Sequence, residues 1–95
     1  MKVKESQTMK HNKITVYTRS YCPYCVFAVK YFKDNNLDFE EIDVSHNPKL
    51  RATISKDNGH FRTLPMIIIG TTFVGGYDDL MLLQRQGKLR AMLDI

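Results

Sequence analysis

The chain contains two cysteines, and they stand three positions apart in Cys22-Pro23-Tyr24-Cys25. A bridge across two intervening residues closes almost no loop, so it would remove little entropy from the unfolded chain. The pair is therefore chemical rather than a staple, and a reversible dithiol suits a reducing compartment. Its surroundings constrain the architecture further. Ahead of it, Lys13 to Thr18 is β-branched and alternating, with Ile14 and Val16 on one face and Thr15 and Tyr17 on the other, which predicts a strand. Behind it, Pro23 falls where a first helical residue needs no N–H. Cys25, Ala28, Val29 and Phe32 follow at helical spacing until Asn35-Asn36. The dithiol thus stands where a strand hands over to the start of a helix.

The rest of the chain extends this pattern. Leu37 to Val44 predicts a second strand, though its alternation slips between Phe39 and Ile42; a bulge or burial on both faces would explain the slip. Asn47-Pro48 reads as a cap and a first-turn proline, with Leu50 and Ile54 turned inward and Asn58-Gly59 as the stop. Met66 to Ile69 and Thr72 to Val74 predict two more strands around a tight turn at Gly70-Thr71. Asp78 to Gln84 predicts a helix with an aspartate near its positive end; Gly87 breaks it, and Leu89, Met92 and Leu93 mark a short last helix. A strand-helix-strand crossover makes the first two strands parallel, and the turn at Gly70 makes the last two an antiparallel hairpin. The sheet is mixed.

Ninety-five residues are enough for one domain. A content of 43% hydrophobic and 25% charged residues belongs to a globular chain rather than a disordered one. No apolar run approaches the roughly 20 residues that cross a bilayer, and the lysines of Met1 to Ser6 precede no apolar stretch, so no secretory signal is expected. Residues 1–12 are polar and aperiodic and predict a flexible extension, leaving 13–95 as the domain. The formal charge of +4 is scattered, without an aromatic-interleaved basic stripe. It suits solubility and attraction of a small anionic substrate; neither a nucleic-acid nor a membrane partner is expected.

Thiol–disulfide exchange needs a thiolate, and a free cysteine has a pKa of about 8.5. At a helix start, Cys22 would face unpaired N–H groups and the positive end of the macrodipole, with Arg19 adding a nearby charge. Cys25 lies one turn further in, buried, where it can attack a mixed disulfide on Cys22. The competing reading of a lone Cys-x-x-Cys is half of a zinc site. The available partners, His11, His46 and His60, lack the usual spacing, so no metal is expected.

The segment Tyr17-Thr18-Arg19-Ser20-Tyr21-Cys22-Pro23-Tyr24-Cys25, with Arg62-Thr63-Leu64-Pro65 and Gly75-Gly76-Tyr77-Asp78-Asp79, resembles the dithiol glutaredoxins from about Lys13 to the C-terminus. That resemblance implies an α/β thioredoxin-like fold, a four-stranded mixed sheet with helices on both faces. It implies a cytoplasmic, monomeric, glutathione-dependent enzyme without a permanent cofactor, acting on protein disulfides and glutathionylated proteins, ribonucleotide reductase among the candidates. Cys22 would attack and Cys25 resolve. Pro65 alone reads as an edge or bend before a strand; the resemblance implies a cis Leu64–Pro65 peptide that frees the Leu64 backbone for the cysteine of glutathione. Gly76, Tyr77 and Asp78 would hold the γ-glutamyl end, Arg19 would meet the glycine carboxylate, and Tyr24 would form a wall. Arg62, beside Thr63, reads either as a second anion contact or as a solvated arginine.

Some positions depart from the family pattern. Met66 replaces a commonly polar residue, Leu64 a commoner valine, and Tyr77 a frequent third cysteine. Phe61 to Pro65 also resembles redoxins that serve ribonucleotide reductase and draw electrons from thioredoxin reductase, although Gly75 to Asp79 favours glutathione. A third alternative is a dimer bridged by an iron–sulfur cluster on Cys22 and glutathione, against which Pro23 argues.

Overall fold

Strand β1 (Ile14–Thr18) lies inside a four-stranded sheet ordered β2-β1-β3-β4, and its last residue leads to the dithiol. The computed structural model describes residues 11–95. After β1 come α1 (Pro23–Asp34), β2 (Glu40–Asp43), α2 (Pro48–Asp57), β3 (Met66–Ile69), β4 (Thr72–Gly75), α3 (Tyr77–Arg85) and α4 (Leu89–Leu93). β1 runs parallel to β2, as the crossover through α1 requires, and antiparallel to β3. β3 and β4 form the antiparallel hairpin around Gly70, whose φ of 62° suits glycine. The sheet is the mixed one that the sequence predicts.

Two apolar clusters cover the two faces of this sheet. Ile14 and Val16 of β1 and Ile67 and Ile69 of β3 share one with Ala28 and Phe32 of α1, Leu80 of α3 and Leu89 and Leu93 of α4. Tyr17, Cys22, Cys25, Val44, Leu64 and Met66 form the other, and Leu50 and Ile54 of α2 close over it. Phe32 is fully buried; cutting a core phenylalanine back to alanine typically costs about 3–5 kcal/mol.

The second strand is shorter than the apolar pattern suggests. Leu37 belongs to the end of α1: its N–H bonds Phe32 O at 3.0 Å, and the Asn36 N–H bonds Lys33 O at 3.1 Å. Asn36 takes a left-handed φ of 56° to make this Schellman turn. Phe39 then joins the first cluster while Ile42 and Val44 join the second, so burial on both faces produces the slipped alternation.

Of the predicted extension, residues 1–10 lie outside the described residues. His11 and Asn12 are tied to the domain. The Asn12 N–H bonds Leu93 O at 2.9 Å, its side-chain amide bonds Met92 O at 2.8 Å, and His11 Nε2 accepts the Asp38 N–H at 3.2 Å. Among the described residues no helix is long and apolar enough to cross a membrane.

Candidate active site

Pro23 opens α1, which makes Cys22 its N-cap in an extended conformation. Sγ of Cys22 accepts the N–H of Cys25 at 3.2 Å, the role that a serine or aspartate oxygen plays at other helix starts. Cys22 and Cys25 are disulfide-bonded, with Cα atoms 5.2 Å apart. Exposure does not separate the two, at 5% and 3%. Position in the helix does: the sulfur at the cap is the one that meets a helix N–H.

The turn into the dithiol is pinned on several sides. Arg19 is exposed and its Nη1 donates to the carbonyls of Ser20 at 3.0 Å and Tyr21 at 3.3 Å. Tyr21 has a left-handed φ of 56°, uncommon for a bulky residue. The Ser20 N–H donates to Ser45 Oγ at 2.8 Å, and the Ser45 N–H donates to Asp43 Oδ1 at 2.8 Å. Hydrogen bonding from the Ser45 hydroxyl first, and from its backbone N–H second, holds the Asp43 carboxyl below its ordinary value. Sequence reasoning missed Ser45; the unpartnered amides of a tight turn are the only hint of such an acceptor.

The opposite wall comes from the segment before β3. The Leu64–Pro65 peptide is cis, Pro65 is buried, and the Leu64 carbonyl oxygen lies 3.7 Å from Cys22 Sγ. Among the described residues, the Leu64 N–H has no backbone acceptor. α2 grips the approach: Arg51 Nη2 donates to the Arg62 carbonyl at 3.2 Å, and the Ser55 hydroxyl donates to the Phe61 carbonyl. The side chains of Arg62 and Thr63 stand exposed, and Met66 is buried in the second cluster.

Gly75 and Gly76 bring the start of α3 to the same place. Gly75 has a φ of 116°, and a Cβ there would run into the Asp79 carboxylate. That carboxylate accepts the Gly76 N–H at 2.9 Å and so caps α3. A Cβ at Gly76 would sit in van der Waals contact with the Phe61 ring and the Pro65 carbonyl. Asp78, in the first turn, is exposed and has no hydrogen bond or ion pair among the described residues. Tyr77 is half-buried, and Tyr24 of α1 stacks on it with ring centroids 6.1 Å apart. Leu64 thus meets Cys22, Gly76 comes close to Pro65 and Tyr77 stacks with Tyr24. Arg19, in contrast, is turned to its own loop and to the groove it shares with Cys25, Lys30 and Glu41, and Arg62 lines a groove with Pro48 and Arg51 of α2. Among the described residues there is no group of three metal-ligating side chains.

A bonded cysteine pair at a helix N-terminus, facing a cis-proline segment on a mixed sheet, defines a thiol–disulfide oxidoreductase of thioredoxin-like fold. The glutaredoxin family model matches residues 14–74, and the chain belongs to the glutaredoxin family. It is 44% identical over 80 residues to a glutaredoxin of Pseudomonas aeruginosa, covering 84% of this chain and 94% of that one. It is 37% identical over 82 residues to glutaredoxin 1 of Rickettsia prowazekii, covering 85% and 86%. The solution structure of a Brucella melitensis glutaredoxin superposes with a TM-score of 0.77 at 40% identity, over 90% of this chain and 91% of that one. A buckwheat glutaredoxin–glutathione complex superposes with a TM-score of 0.80 at 30% identity, over 87% and 77%.

Proposed function

We propose that glutathione is the reductant of this enzyme and that it reduces protein disulfides and glutathione mixed disulfides in the cytoplasm. The observation that carries this reading is the Leu64 N–H, which has no partner among the described residues, beside a carbonyl 3.7 Å from Cys22 Sγ. A cysteine residue linked to Cys22 finds there a donor and an acceptor for its own backbone. Opposite, the first N–H groups of α3 have no partner within the helix and suit a carboxylate. Asp78, exposed and without a bond among the described residues, suits an ammonium. A γ-glutamyl group presents both charges. The buckwheat relative was solved with glutathione, which supports the same reading.

In that scheme the Cys22 thiolate attacks the substrate sulfur, forming a mixed disulfide and expelling one thiolate. Cys25 then attacks Cys22 Sγ, releasing the second thiolate and leaving the Cys22–Cys25 disulfide, so two electrons pass to the substrate. Two glutathione thiols return those electrons and leave as glutathione disulfide. The helix terminus favours the anion at Cys22 throughout.

The test is the electron source. Oxidised protein should be reduced efficiently by glutathione, with a potential of roughly −200 to −230 mV as in glutaredoxins generally. Fast reduction by NADPH and thioredoxin reductase, with negligible reduction by glutathione, would overturn the proposal while leaving the cysteine roles intact.

A further inference from the structure

The rings of Tyr24, Phe27 and Tyr77 form one partly exposed cluster beside the dithiol. Phe27 meets Tyr24 edge-on at 5.9 Å and Tyr77 at 5.7 Å, while Tyr24 stacks on Tyr77. Tyr24 is 55% exposed and Phe27 47%. Rings locked against one another lose little further freedom when a partner covers them, and this makes aromatic clusters effective anchors. Glutathione, as the family resemblance would place it, uses Tyr24 and Tyr77. It leaves Phe27 without a role, and Phe27 belongs to neither core cluster.

Position says what can reach it. Phe27 follows Tyr24 by three residues and so shares its helix face. It lies five residues beyond Cys22, about 7.5 Å along the axis at 1.5 Å per residue. Glutathione carries a single residue on either side of its cysteine. An extended polypeptide advances about 3.3–3.6 Å per residue, so in one that runs along α1 the second or third residue from the bonded cysteine would lie over Phe27. Exchange at Cys22 tethers that segment covalently to the end of the same helix.

We propose that Phe27, backed by Tyr24 and Tyr77, is a specificity residue that receives an aromatic or large aliphatic side chain two or three residues from the target cysteine of a polypeptide disulfide. This rests on Cys22 as the attacking thiol but not on glutathione as the donor. The chemistry is unchanged. Cys22 forms a bond to one peptide sulfur and expels the other peptide thiolate. Cys25 then expels the first, so that two electrons move from the dithiol to the peptide disulfide.

The test uses the full chain, reduced beforehand and freed of reductant, in single turnover without glutathione. Its probes are symmetric disulfide dimers of a short peptide with phenylalanine, or alanine, two residues from its cysteine. Bis(2-hydroxyethyl) disulfide serves as a side-chain-free control. Wild type should prefer the phenylalanine peptide about fivefold, as one aromatic contact allows. Phe27→Ala should abolish that preference without changing the rate on the control, and Phe27→Tyr should retain it. Equal rates on both peptides in wild type, or a preference that survives Phe27→Ala, would overturn the proposal. So would sedimentation as a dimer that Phe27→Ala returns to a monomer, which would assign the rings to a second copy of the chain. Absence of exchange with every probe would remove the Cys22 assignment as well.

Discussion

The backbone N–H of Cys25 points at Sγ of Cys22, 3.2 Å away. In the reduced protein this donor would favour a thiolate on Cys22, whereas among the described residues no donor meets Cys25 Sγ. The asymmetry favours Cys22 as the attacking thiol proposed above. Cys22→Ser should abolish all exchange. Cys25→Ser should keep activity on glutathione mixed disulfides, where free glutathione can resolve the intermediate. Coupled assays of the two single variants on a glutathionylated peptide check this; equal loss in both would contradict the assignment.

Arg19 does two things in one place. It puts a positive charge on the groove that it shares with Cys25, and its Nη1 donates to the carbonyls of Ser20 and Tyr21. Arg19→Ala should therefore shift the alkylation of Cys22 by iodoacetamide to higher pH and weaken use of anionic substrates. Arg19→Lys keeps the charge and one carbonyl contact, and should stay close to wild type. An unchanged profile in Arg19→Ala would leave the helix terminus as the sole source of thiolate stabilisation.

The adjacent aspartates of α3 divide their duties. Asp79 caps the helix through the Gly76 N–H, whereas Asp78 is free at the surface. Asp79→Ala should lower stability to urea by about 0.5–1 kcal/mol. Asp78→Ala should leave stability nearly unchanged and raise the KM for a glutathionylated substrate more than it lowers kcat. Matching urea midpoints for the two variants would contradict this division.

The Asp43–Ser45–Ser20 chain should respond to acid. The Asp43 carboxyl is held below its ordinary value by its bonds to Ser45. Their stabilising effect is fully present above the unfolded value of about 3.9 and is lost as pH falls through the lower folded value. The Ser45 amide proton resonance should therefore titrate with a midpoint below about 3.9, and Asp43→Asn should remove that titration. A midpoint at or above the ordinary value would contradict the linkage.

The local signals in the sequence carried most of the architecture. Pro23 and Pro48 open their helices, Gly70 turns the hairpin and Gly87 ends α3, because each acts within a few residues of itself. Leu37 was less legible. An apolar residue after Asn36 reads as the start of a strand, and only the left-handed turn shows it closing α1. At the site, the dithiol and the convergence of Leu64, Pro65 and Gly76 were readable as motifs. Long-range partnerships such as Ser20 with Ser45 or Arg62 with Arg51 leave no periodic trace. Phe27 had no part in the sequence reading, and Tyr77 joins it and Tyr24 only through the fold.

Among the described residues the sheet is open at both sides. At one margin β2 is Glu40-Glu41-Ile42-Asp43, with Glu40 held to Lys13 at 3.0 Å; at the other β4 has four residues and a shifted register between Ile67 and Ile68. A long, flat, apolar margin would template a foreign strand, and charge and irregularity deny that to both sides. Neither edge of the sheet therefore offers a regular, uncharged template on which another strand would add.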